Sequence, residues 1–195
     1  MPEPPTGVSA EPMPREDRLR RVAVLCTSFA RNLVYYRTAW HEDHRHLLDP
    51  KKTSTANFWR AINGNFIDVC VLEWCKLFAD TNDKHHWTRI VARPDDFYAA
   101  LLAHLAVDEA GFQEQITAMR RYRDKFLAHL DSDYVMNIPA LDIPKKATWF
   151  YYAHLLNNEA AAGRMAGFPE DIDRAYHETE QEAAAIYRRF STQPE

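Results

Sequence analysis

Apolar residues recur at helical spacing along nearly the whole chain, and strand-like alternation is absent. From Arg15 to about Leu48, one face carries Leu19, Val22, Leu25, Cys26, Phe29, Leu33, Tyr36 and Trp40, and Asp49-Pro50 stops the helix. Ser54 or Thr55 can cap a second helix running to about Ala79. Phe58, Trp59, Ile67, Leu72, Trp74 and Phe78 and their apolar neighbours cover most of its circumference, with Asn63, Asn65, Asp68 and Glu73 as exceptions. A helix apolar all round belongs at the centre of a fold. Residues 80–94 are polar and predict a connecting loop, and a short helix from Asp95 or Asp96 through Leu105 follows. Asp108 begins a longer helix that ends near Leu130. Pro139 and Pro144 mark residues 131–144 as a loop, and helices are predicted over 145–162 and 170–190, with Pro169 in the first turn of the last. The pattern predicts an all-α fold, a single helical bundle of about five to six helices over residues 15–190. Residues 1–14 are proline-rich without apolar periodicity and read as a disordered tail.

One position breaks this pattern. Phe112, Ile116, Met119, Phe126 and Leu130 form an apolar stripe on the Asp108 helix, and the missing member of the series is Arg123. An unpaired buried charge costs several kcal/mol or more, so Arg123 needs a partner. An internal carboxylate such as Asp68 or Glu73 is one candidate. The other reading is a site, because His129 follows six residues later and histidine changes charge most readily near neutral pH. Six residues turn a straight helix by about 240° beyond one revolution, so the two side chains do not share a face. Either the helix distorts, or two copies of it meet.

Composition narrows the choice. A chain of 195 residues makes one large domain or two small ones, and 46% hydrophobic and 12% aromatic residues can bury a substantial core. The net charge of −4 gives no global attraction to nucleic acid, so any RNA contact must use a local basic patch. Arg120, Arg121, Arg123 and Lys125 form one such cluster; they also suit the last turns of a helix as ordinary cations. Cys26, Cys70 and Cys75, odd in number and in apolar contexts, fit a reducing cytosol. No stretch is long and apolar enough to span a membrane, and the start of the sequence lacks a secretory pattern. His41, His44 and His46 could invite a metal, but no cysteine or distant ligand accompanies them, and they read as solvated or capping side chains. No HExxH, CxxC or glycine-rich phosphate loop is present, so neither metal nor cofactor is expected. Trp149-Phe150-Tyr151-Tyr152 is an aromatic run that suits the core, a dimer partner or a stacked base.

The segment Arg123, Asp124 through His129 resembles the R-x(4–6)-H motif of HEPN domains. Together with Phe66–Asp80, it is similar to the abortive-infection, AbiU-like branch of that family. The resemblance covers roughly residues 15–190. It implies metal-independent RNA cleavage at a homodimer interface, in phage defence or a toxin–antitoxin system, with a possible antitoxin partner. On that reading Arg123 and His129 are catalytic, and Asp124 orients one of them. Arg120, Arg121 and Lys125 then contact RNA phosphates. The resemblance equally allows a catalytically silent module that binds or scaffolds. Some HEPN toxins carry a tyrosine two residues after the histidine that a partner enzyme modifies. Here Asp131 holds that position and the nearest tyrosine is Tyr134, which puts that mode of control in doubt.

Overall fold

A computed structural model describes residues 13–128, 137–161 and 163–191, without the side chains of 126–128. The tail at 1–12, His129, Leu130, Asp131 and Tyr134 lie outside the described residues. All regular structure among those described is helical. The helices are α1 (Arg15–Ala39), α2 (Ala56–Trp74), α3 (Trp87–Ile90), α4 (Pro94–Leu105), α5 (Glu109–Tyr122), α6 (Asp142–His154) and α7 (Ile172–Ser191). A 3-10 turn spans Arg45–Leu48, and π turns over Cys75–Ala79, Arg123–Ala128 and Leu155–Glu159 extend α2, α5 and α6.

Local chemistry explains most boundaries. Asp108 caps α5 by accepting the Gly111 N–H at 2.8 Å. Pro94 opens α4 with Asp95 and Asp96 in its first turn, and Ala106 ends it in a left-handed conformation at φ 55°. Several expected boundaries move. α1 stops at Ala39, well before Asp49-Pro50, because the chain turns into the 3-10 segment. Thr55 precedes α2 without a side-chain cap. The expected loop at 80–94 contains α3, whose cap is His86. Pro169 lies before α7 instead of in its first turn. Its carbonyl accepts the Tyr152 hydroxyl, and Asp171 takes the capping role by accepting from the Asp173 and Arg174 amides.

α1 packs most extensively on α2 and next on α7, with α6 also against it, while α4 lies on α6 and α5 on the end of α2. Phe29, Leu33, Ile67, Val71 and Trp74 bury the α1–α2 seam. An aromatic chain then joins four elements: Phe78 contacts Trp74, Phe112 and Tyr151 at centroid distances of 5.1, 6.1 and 5.7 Å, and Tyr151 meets Phe97 at 5.3 Å. Stacked and edge-on ring pairs of this kind add roughly 0.5–1.5 kcal/mol each beyond area burial. The run at 149–152 belongs to the core: Tyr151 and Tyr152 are fully buried, and the partly buried Trp149 and Phe150 pack on Tyr176 and Phe97. α2 is less enclosed than its composition suggests, since Phe58 and Leu72 face outward, as does Trp40 beyond α1.

Burial in this frame disfavours the charged form of three histidines. His86 is buried; its Nε2 faces the Phe78 carbonyl at 3.1 Å and its Nδ1 faces the Thr88 hydroxyl at 2.8 Å. His44 is buried against Tyr187 with its Nδ1 unpartnered among the described residues. Burial lowers the pKa of His44, His85 and His86 below 6.5. The unfolded chain thus binds more protons just below that value, and stability is full above it and lost as pH falls through the folded values. Asp68 and Glu73, raised by burial, act in the opposite sense. The urea midpoint is expected to drop between about pH 7 and about pH 5. A His44→Phe variant, which keeps a ring on Tyr187, is expected to drop less; an identical pH profile would contradict this assignment.

Candidate functional site

Arg123 stands where α5 gives way to its π turn, on the same stripe as buried Phe112, Ile116 and Met119. The wider π spacing means that the straight-helix rotation does not hold beyond Arg123. α2 and α6 end in the same kind of turn, so the turn alone does not mark a site.

The partner of Arg123 is neither Asp68 nor Glu73. Its Nη1 donates to Asp80 Oδ1 at 2.6 Å and also to Asp80 Oδ2, and its Nε donates to Asp124 Oδ1 at 2.8 Å. Among the described residues Nη2 makes no hydrogen bond. The side chain remains 21% exposed and that of Asp80 32%, which puts the pair at the rim of the core. Burial works against the charge, but the hydrogen bonds Arg123 donates to Asp80 and Asp124 outweigh it, and the Arg123 pKa sits above the ordinary arginine value. Asp80 closes the π turn that follows α2, so the pair ties the end of α2 to the end of α5.

The carboxylates expected to serve Arg123 have other work. Asp68 accepts the buried Tyr122 hydroxyl at 2.8 Å, and Glu73 accepts from Ser28 at 3.1 Å. Arg120 donates to the Ala79 carbonyl, capping the end of α2 beside the Arg123–Asp80 pair. Arg121 and Lys125 lie on a different face of α5. They line an open groove of about 700 Å³ with Glu114, Thr117, Tyr122 and Ile138. The basic cluster is thus split between two faces. Cys75 is buried beside Arg123, and burial pushes its thiol up to about 12, which suppresses the thiolate.

Comparison with protein-family models, curated proteins and solved structures finds no match. The chemistry of the site rests on its own residues.

No group of three metal-ligating side chains converges among the described residues, and the histidine run is dispersed: His44 is buried on Tyr187, while His41 is exposed and contacts Asp43. No described helix is long and apolar enough to cross a membrane. Sequence reasoning missed two structural centres. One is Asp80, the arginine's true partner, whose only signal was its place directly after a strongly apolar helix. The other is Glu159. Its side chain is 3% exposed and receives Arg15, the Ala92 amide at 2.9 Å and His154 Nε2 at 3.1 Å. It locks the start of α1, the α3–α4 connection and the end of α6 together.

Proposed function

We propose that the protein is a metal-independent endoribonuclease of the HEPN type, working as a homodimer in phage defence or a toxin–antitoxin system. The observation that supports this is the state of Arg123: a guanidinium fixed by Asp80 and Asp124 at the end of an amphipathic helix, with part of the side chain still reachable from solvent. A cation held in one orientation needs little reorganisation to stabilise a phosphate on its remaining edge. In the reaction the 2′-hydroxyl attacks its adjacent phosphorus and the 5′-oxygen leaves. One base removes the 2′-proton and one acid protonates the leaving oxygen, giving a 2′,3′-cyclic phosphate and a 5′-hydroxyl end. His129 takes the proton-transfer role, within the range of histidine chemistry at neutral pH. Asp124 orients Arg123.

A second reading has its own support. Asp80 and Asp124 largely neutralise Arg123, as expected for a silent HEPN-like binding or scaffold module. Cleavage of total RNA in EDTA separates the two. The enzyme reading expects activity undiminished by chelation, and it expects that mixing Arg123→Ala and His129→Ala subunits regenerates part of it through composite sites. Activity lost with EDTA and restored by zinc or magnesium would overturn the proposal. So would a protein that stays monomeric at micromolar concentration.

A further inference from the structure

A second surface lies where the end of α1, the 3-10 turn, the first turn of α2 and the last turns of α7 converge. Trp59 is buried there and holds two exposed rings: Phe58 at 5.5 Å, 60% exposed, and Phe190 at 5.1 Å, 49% exposed. Tyr187 lies beneath, 5.5 Å from Trp59, with His44 stacked on it at 5.6 Å, and Arg60 Nε donates to the Leu48 carbonyl at 2.6 Å, joining α2 to the 3-10 turn. Around the rings lie six exposed cations: Arg45, Lys51, Lys52, Arg60, Arg188 and Arg189. Among the described residues of these segments the acids are Glu42, Asp43 and Asp49, and Arg188 and Arg189 have further contacts of their own, in a chain whose acids outnumber its bases 28 to 24.

We propose that this end of the bundle docks single-stranded RNA, with Phe58 and Phe190 as stacking platforms and the surrounding cations following the backbone. Exposed rings give a base a flat apolar face, and cations beside them attract phosphate without reading sequence. A second copy is a poor occupant, because a two-fold contact would set this cationic face against itself. A lipid surface is also a poor fit, since the exposed apolar Phe58, Ile186 and Phe190 are interrupted by exposed Thr55, Asn57, Arg188 and Arg189 and form no continuous apolar stripe. The choice of RNA over another polyanion rests on the ribonuclease reading; the pattern of rings and cations does not.

The test uses the full chain and a fluorescent, uncleavable 2′-O-methyl RNA of about 16 nucleotides, a length that covers the site sizes of single-strand binders. Anisotropy titrations are expected to show binding that Phe58→Ala/Phe190→Ala weakens by roughly tenfold or more. Lys51→Glu/Lys52→Glu, on an exposed turn where folding is not at stake, is expected to weaken it comparably and flatten its salt dependence. No binding by the wild type, or equal binding by all three proteins, would overturn the proposal. Two other outcomes would also overturn it: loss of dimer in the ring variant with RNA affinity unchanged, or loss of binding to phosphatidylserine vesicles with RNA affinity unchanged. Because the strand cannot be cut, binding to it combined with failure to cleave ordinary RNA would sink the enzyme reading and leave this face standing.

Discussion

His129→Ala and Arg123→Ala are each expected to reduce RNA cleavage by a factor on the order of 10²–10⁴, the range set by losing a proton-transfer or charge-stabilising group. Their stabilities should differ. His129→Ala is expected to unfold at the wild-type urea midpoint. Arg123→Ala removes the ion pair to Asp80 and Asp124. Had the partner been fully enclosed, the stranded carboxylate would cost roughly 3–5 kcal/mol. Asp80 is 32% exposed and can recover water, so the expected loss is smaller, about 1–2 kcal/mol. Urea melts and cleavage assays on the same preparations check both halves. Full cleavage by His129→Ala, with Arg123→Ala strongly destabilised, would make the motif architecture and not chemistry.

Glu159→Ala is expected to be the more damaging change for folding, by about 2–4 kcal/mol. Its buried carboxylate accepts from Arg15, the Ala92 amide and His154 at once. Truncation leaves an amide, an imidazole and part of a guanidinium without their acceptor. The half-exposed Arg15 can recover water, which keeps the figure below the sum of three lost bonds. Glu159→Gln keeps an acceptor and should retain more of the stability. Thermal melts of the two variants test this, and an alanine variant as stable as wild type would show that the three donors find other partners.

The sequence made the helical class legible because its signal is long and local. The α5 stripe of Phe112, Ile116 and Met119 is buried as its spacing predicts, and Asp108 caps the helix where expected. Arg123 was visible for the same reason, as a charge on an apolar stripe. Its partner was not. Asp80 and Glu159 act through contacts 43 and 144 residues away in sequence, and helical periodicity holds no information at that separation. The ring cluster at Trp59, Phe58 and Phe190 was hidden likewise, because it joins the first turn of α2 to the end of α7. α2 read as central because composition counts apolar residues without regard to which face meets a neighbour; Phe58 and Leu72 lie largely on its outward face.

The most direct measurement is end-group analysis of 5′-labelled RNA incubated in EDTA with the wild-type protein and with His129→Ala. The wild type is expected to produce fragments ending in 2′,3′-cyclic phosphate, and the variant none. Intact RNA with the wild type, or equal cleavage by both proteins, would contradict a ribonuclease built on Arg123 and His129.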